Sequence, residues 1–283
     1  MTLAPLALVR EGVAQLTAAG CDTPQLDAEI LVAHALGTDR AGLIRLPATP
    51  LGTAEADRAR VLLDRRAARE PVSQIIGYRW FRNLKIEVDS SVLTPRPETE
   101  LLVEWALGLP KGARVADIGT GSGAIALALA DERPDLEVIA TDVSEEALAV
   151  ARANATRLGL TVNFAQGDLL DAVDQGVDAV ISNPPYIPQV EVEGLDPEVA
   201  QHEPHIALTP GPTGLELIRK LIDQTAARKI DHLAMEVGMG QADDVAVLLA
   251  EAGWAHVVVR DDLAGIQRVV IGTVEPQADE LGA

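Results

Sequence analysis

Beyond residue 112, short apolar segments rich in β-branched residues alternate with longer segments of helical periodicity. The helical period predicts helices near 123–132, 145–158, 213–228 and 241–252. The shorter segments predict seven strands, near 113–118, 136–141, 161–166, 177–182, 231–237, 254–260 and 266–272. Such alternation is typical of an α/β fold, in which a mainly parallel sheet carries helices on both faces. We therefore expect ligands to bind where the carboxyl ends of the strands meet.

The first part of the chain has a different pattern. Residues 1–76 contain apolar side chains at helical spacing, and residues 77–94 change to the strand-like alternation of Leu84, Ile86 and Val88 with charged neighbours. We predict a helical bundle at 1–76, a β-hairpin linker at 77–94 and the α/β domain at 95–283. Five arginines accompany the last long helix of the bundle, and we expect them on a solvated face, although a partner-binding patch is the alternative: Arg58, Arg60, Arg65, Arg66 and Arg69.

Composition narrows the class of protein. No apolar run approaches the roughly 18–20 residues that a membrane-spanning helix needs, and no signal-peptide pattern precedes the bundle. The single cysteine, Cys21, excludes an internal disulfide and a multi-cysteine zinc site. We expect a reduced, cytoplasmic protein that has no membrane segment and binds no metal.

Charge is unevenly distributed along the chain. The formal net charge is −20, and all of this excess lies in residues 81–283, because residues 1–80 are neutral. Nucleic-acid binding depends on lysine and arginine side chains that neutralise phosphates, so the acidic part argues against direct contact with DNA or RNA. It would suit a basic protein partner, while solubility alone is the alternative.

A glycine-rich turn follows the first strand of the α/β domain. Gly119, Gly121 and Gly123 let the backbone turn sharply and approach a ligand closely, which suits a nucleotide, a dinucleotide or S-adenosylmethionine. The turn lacks the GxGxxG spacing of dinucleotide sites and the GK[ST] of phosphate-binding loops. Asp117 leads into it, and a carboxylate there repels pyrophosphate but suits a ligand that carries an ammonium and a sulfonium group.

Two more aspartates end the next two strands. Asp142 could accept hydrogen bonds from both ribose hydroxyls, and Asp168 could accept one from an adenine amino group. Each alone could be a helix cap or a solvated loop residue. Three acids at three successive strand ends favour a ligand site.

The tetrapeptide Asn183-Pro184-Pro185-Tyr186 follows the strand predicted at 177–182. Its prolines remove two backbone donors and fix two φ angles, so the carbonyl groups are held stiffly outside any ladder. Asn183 adds an amide oxygen and Tyr186 an aromatic face. Such acceptors beside a ring suit a planar NH₂ group, although an Asn-Pro turn without function is the alternative. The aperiodic stretch 187–212 that follows is long enough to suggest a functional loop.

Together, the glycine turn, Asp142, Asp168 and the tetrapeptide resemble a class I S-adenosylmethionine-dependent methyltransferase that modifies amino groups. The tetrapeptide is shared with DNA adenine N6-methyltransferases and some rRNA methyltransferases. Further segments resemble the HemK/PrmC family, which methylates the glutamine of the GGQ motif in class I peptide chain release factors: Thr94 to Glu100, Glu203-Pro204, Asp262 to Gly265 and Arg268 to Val270.

The resemblance implies a Rossmann-like domain with a seven-stranded mixed sheet and a bundle that docks the release factor. It implies that S-adenosyl-L-methionine is the methyl donor and S-adenosyl-L-homocysteine the product. The catalytic residues would be Asn183, Pro184 and Tyr186. The cofactor would be bound by Asp117, Gly119, Thr120, Gly121, Ser122, Gly123, Asp142, Asp168, Leu169 and Asn183. The substrate would be bound by Asn183, Pro184, Pro185, Tyr186, Arg96 and Glu203.

Three other functions compete with this interpretation. A nucleic-acid methyltransferase acting on adenine N6 or guanine N2 shares the tetrapeptide chemistry, but the acidic charge and the segments outside the catalytic core disfavour it. A non-catalytic binding module is disfavoured because Asn183 and the acids are intact. A nicotinamide oxidoreductase would leave the tetrapeptide unexplained.

Overall fold

The computed structural model describes residues 3–274 and divides into two compact units. The first unit comprises the chain up to Tyr78 together with the separate segment Leu195–His202. The second unit comprises Arg79–Gly194 and the chain from Glu203 onward. The aperiodic stretch after the tetrapeptide therefore supplies residues to both units.

The helices and strands follow the predicted order. The helices are α1 (Pro5–Ala18), α2 (Pro24–Ala35), α3 (Arg40–Arg45), α4 (Thr53–Ala67), α5 (Val72–Ile76), α6 (Glu100–Ala106), α7 (Ala124–Glu132), α8 (Glu145–Leu158), α9 (Pro197–Ala200), α10 (Glu216–Ala227) and α11 (Ala242–Ala252). The strands are β1 (Tyr78–Phe81), β2 (Leu84–Glu87), β3 (Arg114–Ile118), β4 (Glu137–Asp142), β5 (Asn163–Gln166), β6 (Ala179–Ser182), β7 (His232–Glu236), β8 (His256–Asp261) and β9 (Gln267–Thr273).

The first unit is a helical bundle around its own core. One leucine face of α1, α2 and α4 is fully or almost fully buried and contains Leu8, Leu16, Leu31 and Leu63. Cys21 is buried beside them. Burying these side chains stabilises the bundle because each removes apolar surface from water.

An ion-pair cluster is enclosed in the same unit. Arg66 of α4 is 6% exposed and donates from Nε to Oδ2 of Asp27 at 2.7 Å, while its Nη1 lies 2.7 Å from Oε1 of Glu198. Arg69 contacts the second oxygen of Glu198 at 2.6 Å. The expectation that these arginines lie on a solvated face is therefore wrong for Arg66. A guanidinium can be buried here because two carboxylates balance its charge.

A seven-stranded sheet organises the second unit, in the order β5-β4-β3-β6-β7-β9-β8. Strands β3 to β7 are mutually parallel, and β9 is antiparallel to both of its neighbours. Strands β1 and β2 pair separately as a hairpin. The predicted α/β class and mixed sheet are thus confirmed.

The strand order reverses at β3. From β3 the chain moves outward through β4 to β5, and it then returns to the other side of β3 to form β6. Ile118, the last residue of β3, pairs with Ser182, the last residue of β6. The glycine turn and the tetrapeptide therefore begin side by side at the position where open α/β sheets bind ligands.

Apolar layers cover both faces of this sheet. One layer contains the Ala- and Leu-rich helix α7 with α6, and the other contains the buried sides of α10 and α11. The first six residues of α7, Ala124 to Leu129, are all apolar and buried, as expected for a core helix. This packing fixes the strand ends from which the loops of the site extend.

The stretch 187–212 contains short helical elements that its sequence does not reveal. Gln189–Gly194 and His205–Ala207 form 3₁₀ helices, and α9 lies between them. These elements are only 3 to 6 residues long, which is too short for a periodic pattern to emerge. Within residues 3–274, no helix has both the length and the apolar character that crossing a bilayer requires.

Candidate active site

A cleft opens at the carboxyl edge of the sheet. The residues expected to form a site and found in its lining are Gly119, Thr120, Gly121, Ser122, Asp142, Asp168, Leu169, Asn183, Pro184 and Pro185. Five expected residues lie outside that lining, namely Asp117, Gly123, Tyr186, Arg96 and Glu203. The fold thus collects the ends of four strands around one space.

The glycine turn presents bare backbone to the cleft. Gly119 and Gly121 have φ angles of +71° and +55°, and a Cβ atom added to either would meet no atom within 4 Å. The amides of Gly119 and Thr120 donate to the carbonyl oxygen of Thr141 at 2.8 and 2.9 Å. The turn is therefore tied to β4 while its glycine surfaces remain open to a ligand.

Asp117 lies behind this turn. It is fully buried, and its Oδ2 accepts hydrogen bonds from the Thr120 hydroxyl at 2.6 Å and the Ala126 amide at 3.1 Å. Burial raises the pKa of Asp117 to about 7, although these hydrogen bonds oppose the rise. Its Oδ1 is buried without a hydrogen-bond partner in the described chain. Asp117 therefore holds the turn through Oδ2, while its Oδ1 remains available as a hydrogen-bond acceptor.

Asp142 lines the cleft at the end of β4. Its Oδ2 accepts from the Gly121 amide and its Oδ1 from the Ser144 amide, both at 2.9 Å. A carboxylate oxygen can accept two hydrogen bonds. Each oxygen of Asp142 therefore retains acceptor capacity towards the cleft, while the bonds that it already makes fix its orientation.

Asp168 and Leu169 follow β5 along the same edge. Asp168 forms an ion pair with Lys220 of α10, and both side chains are 47% exposed. Exposed ion pairs contribute little free energy, so this carboxylate can still bind a ligand. Leu169 adopts the left-handed backbone conformation, with a φ angle of 51°, which is uncommon for residues other than glycine. Lys220 was missed by the sequence reasoning because nothing local in α10 pairs it with Asp168.

Asn183 enters the cleft at the end of β6. Its Nδ2 donates to Oγ1 of Thr99 at 3.0 Å, and Oγ1 of Thr99 donates to Oε2 of Glu236 at 2.6 Å. No residue of the described chain donates a hydrogen bond to Oδ1 of Asn183 or to the carbonyl oxygen of Pro184. Two acceptors on consecutive residues thus lie next to the cleft without internal partners.

Tyr186 is fixed at both ends, behind the two prolines. Its hydroxyl donates to Oε1 of Glu236 at 3.2 Å, and its carbonyl oxygen accepts from Nε2 of Gln241 at 2.8 Å. A Cβ atom on Gly214 would approach that carbonyl oxygen to 2.3 Å, and one on Gly238 would approach the ring to 3.1 Å. The neighbouring glycines therefore leave the room that Tyr186 occupies. Burial raises the pKa of its hydroxyl, so the side chain stays a neutral donor.

Thr99 and Glu236 were both missed as functional residues by the sequence reasoning. Glu236 ends β7, is 1% exposed, and has its pKa raised to about 7 mainly by burial. The sequence did contain an indication of a role for Glu236, because it is another acid at the end of a strand on the same edge of the sheet. Thr99 lies within the segment Thr94 to Glu100 that carries the family resemblance, but nothing in that segment indicates its contact with Asn183.

Arg96 and Glu203 pair close to the cleft without lining it. Nη2 of Arg96 donates to Oε2 of Glu203 at 2.7 Å, and the Thr94 amide donates to Oε1 at 3.3 Å. Burial raises the pKa of Glu203, with Arg96 opposing the rise. Pro95 and Pro204, which adjoin the pair in sequence, do line the cleft. The ion pair thus holds two wall segments together.

Two protein-family models match this chain, one in its N-terminal part and one in the part that contains the cleft. Residues 7–77 match the PrmC N-terminal domain, and residues 97–200 match the methyltransferase small domain. Among solved structures, the hMettl16 catalytic domain aligns with a TM-score of 0.57 and 17% identity, over 78% of this chain and 82% of that one. A methyltransferase from Pyrococcus furiosus aligns with a TM-score of 0.51 and 18% identity, over 78% and 98%. At such identities the likeness supports the fold alone.

Sequence relatives are much closer. The release factor glutamine methyltransferase of Cereibacter sphaeroides is 45% identical over 267 residues, which cover 93% of this chain and 95% of that protein. The protein of the same name from Mycolicibacterium smegmatis is 41% identical over 274 residues, covering 94% and 96%. With matches of this extent, the chain belongs to the release factor glutamine methyltransferase family and is a methyltransferase.

Proposed function

We propose that this methyltransferase transfers a methyl group from S-adenosyl-L-methionine to the side-chain amide nitrogen, N5, of the GGQ glutamine in class I release factors. The observation that carries the proposal is the pair of unpartnered acceptors at the cleft, Oδ1 of Asn183 and the carbonyl oxygen of Pro184. A primary amide has two N–H donors in one plane, which two such acceptors complement. The names of the relatives indicate the same substrate.

The residues of the cleft fit the proposed cofactor. The open glycine surfaces at 119 and 121 allow close approach, and the free acceptor capacity of Asp142 suits ribose hydroxyls. Asp168 suits an adenine amino group, with the backbone of Leu169 beside it. The buried, unpartnered Oδ1 of Asp117 favours a cation over an anion in the turn. When bound, S-adenosyl-L-methionine supplies a methyl group activated by its positively charged sulfonium.

The residues of the chain then act mainly by positioning. An amide nitrogen is a weak nucleophile because its lone pair is delocalised into the carbonyl group. Acceptors at Asn183 and Pro184 hold both N–H bonds and so orient the nitrogen towards the methyl group. A base need not act first, because the nitrogen becomes acidic only after methyl transfer. Such positioning and electrostatic pre-organisation can supply most of the rate enhancement.

We also propose that the helical bundle at 1–76 docks the release factor and that the hairpin region 77–94 links it to the catalytic domain at 95–283. Its match to the PrmC N-terminal domain supports this role. Hydrogen exchange of the full chain, with and without a release factor, tests it. We expect added protection in α1 to α5. Protection confined to residues beyond 94 would rule out docking by the bundle.

Because translation termination is cytoplasmic, we assign the enzyme to that compartment.

Mass spectrometry of the product tests the proposed chemistry. A release factor is incubated with the enzyme and S-adenosyl-L-methionine, digested and fragmented. We expect one added methyl group on the side-chain nitrogen of the GGQ glutamine. A methyl group on the backbone, on another residue or on a carboxylate would contradict the proposal, because the two acceptors complement only an NH₂ group.

A further inference from the structure

We propose that Glu236 is a positioning residue for methyl transfer. Its carboxylate acts through the Thr99 hydroxyl to hold the side-chain oxygen Oδ1 of Asn183 towards the cleft. The inference deepens the proposed function and rests on it for the identity of the acceptor. The relay of hydrogen bonds runs from the buried Glu236 to Thr99 and Asn183, which both line the cleft.

The direction of the relay follows from counting hydrogens. A threonine hydroxyl has one hydrogen. At 2.6 Å from Oε2 of Glu236, the Thr99 hydroxyl donates that hydrogen to the carboxylate. It can then only accept from Asn183, so the NH₂ side of that amide faces Thr99, as the 3.0 Å contact from Nδ2 requires. The opposite atom, Oδ1, is thereby turned away from Thr99.

A neutral acid in place of the carboxylate would remove this constraint. Protonated Glu236 can donate to the Thr99 hydroxyl, which then has a hydrogen to give to Asn183. The Asn183 amide could rotate and accept it through Oδ1. Its NH₂ group would then face the cleft, and a donor there repels the N–H bonds of the substrate amide. The charge on Glu236 therefore decides which atom of Asn183 meets the substrate.

The same carboxylate also holds the far end of the tetrapeptide. Its Oε1 accepts from the Tyr186 hydroxyl at 3.2 Å. One buried side chain thus fixes the residues on either side of Pro184 and Pro185. This shared anchor accounts for an acid that is 1% exposed and forms no ion pair in the described chain.

The relay should titrate near neutral pH. Burial raises the pKa of Glu236 to about 7, and Glu98 raises it further. The hydrogen bonds from Thr99 and Tyr186 and the charge of Arg268 oppose the rise. Since the carboxylate is the form that orients Asn183, kcat should fall as pH drops below about 7 and level off above it.

Glu236→Gln tests the relay, because its side chain keeps its size and gains the NH₂ group that can reverse the hydrogen bonds. We expect kcat to fall roughly 10- to 100-fold, the acid limb of the pH profile to disappear, and S-adenosyl-L-methionine affinity to stay within about twofold. Both kcat and its pH profile are measured at saturating S-adenosyl-L-methionine, because Asp117 in the cofactor turn also has its pKa raised to about 7. Under that condition, unchanged kcat, or an acid limb that persists in the variant, would overturn the proposal.

Substitutions at Thr99 provide a matched pair that leaves Glu236 in place. Thr99→Ser keeps the hydroxyl and should retain most activity, whereas Thr99→Val keeps the shape and should lose about as much as Glu236→Gln. In the valine background, Glu236→Gln should add little further loss, because the relay is already broken. Equal activity of the serine and valine variants would refute the relay even if Glu236→Gln failed to fold.

A readout independent of catalysis separates this inference from the choice of substrate. In the nuclear magnetic resonance spectrum of the free enzyme, the side-chain NH₂ signals of Asn183 should shift with a midpoint near pH 7. Thr99→Val should abolish that shift. If the shift occurs but release factors are not methylated, the relay stands and the proposed substrate fails. No shift in the wild-type enzyme would overturn the relay.

Discussion

In the proposed mechanism, two oxygen atoms on consecutive residues, Oδ1 of Asn183 and the carbonyl oxygen of Pro184, select an NH₂ group at the cleft. Neither oxygen receives a hydrogen bond from the described chain, although Nδ2 of Asn183 and the carbonyl oxygen of Tyr186 are both hydrogen-bonded. Ser182, just before them, donates to the carbonyl oxygen of Ile118 at 2.7 Å and so joins β6 to β3. The two acceptors are therefore held rigidly while remaining available to a substrate.

Asn183→Ala should abolish most catalysis without removing the cofactor. We expect kcat to fall about 10²- to 10³-fold, because one of two pre-organised acceptors is lost. Calorimetric titration should show S-adenosyl-L-methionine affinity within a few fold of wild type. Asn163→Ala, at an exposed position of β5, is the matched control and should be fully active. Wild-type kcat in the Asn183 variant would refute the positioning mechanism.

Asp142→Ala should act on the cofactor rather than on the chemistry. Hydrogen bonds to a charged group contribute about 1.5–3 kcal/mol, so losing them should weaken S-adenosyl-L-methionine binding roughly 10- to 100-fold. At saturating cofactor, kcat should recover substantially. Asp131→Ala on α7 removes an equally charged but exposed side chain and serves as the control. An unchanged dissociation constant in the Asp142 variant would remove this residue from the cofactor site.

At the scale of secondary-structure elements, the site depends on where β3 and β6 end. Their pairing places the glycine turn beside the tetrapeptide, and the local periodicity of the sequence was sufficient to predict both strands. The side-chain partners were not predictable in the same way. Thr99 and Glu236 are separated by 137 positions, and Arg66 and Asp27 by 39. Local patterns report burial and period, whereas such pairs form only once the chain is folded.

The ion-pair cluster of the bundle is an example of side-chain contacts that local sequence patterns could not predict. An arginine on a charged helix has the same local pattern whether it faces water or two carboxylates. Only the fold brings Glu198, in the segment Leu195–His202, to the same guanidinium as Asp27. The cluster thereby fixes part of the stretch that follows the tetrapeptide, which its aperiodic sequence did not predict.

Arg66→Ala should destabilise the bundle strongly. Removing one partner of a buried ion pair typically costs about 3–5 kcal/mol, because the remaining charge is left uncompensated. Chemical denaturation followed by circular dichroism measures the loss in free energy of unfolding. Arg10→Ala, an exposed position on α1, should change it by less than about 0.5 kcal/mol. Equal stability of the two variants would mean that the Arg66 cluster contributes nothing net.

At the scale of the whole molecule, the charge distribution bears on the partner. The net charge of −20 arises beyond residue 80, whereas the chain up to that residue is neutral. A field of this sign repels phosphate backbones and attracts basic surfaces over about a Debye length. The acidic charge therefore disfavours nucleic acid as the substrate, while solubility remains an alternative reason for it.

Salt dependence distinguishes these two reasons. If the charge steers a basic partner, kcat/KM for a release factor should fall on the order of tenfold between ~10 mM and ~150 mM salt. The value of kcat should change little, because the chemistry occurs inside a shielded cleft. A short peptide that contains the glutamine provides the control. A flat kcat/KM for the full release factor would leave solubility as the role of the charge.

The most direct test is methyl transfer from labelled S-adenosyl-L-methionine to three acceptors in parallel. These are a purified class I release factor, its variant with alanine in place of the GGQ glutamine, and duplex DNA. We predict label on the first acceptor only. Label on DNA, or equal label on the release factor and its alanine variant, would contradict the assignment of glutamine as the methyl acceptor.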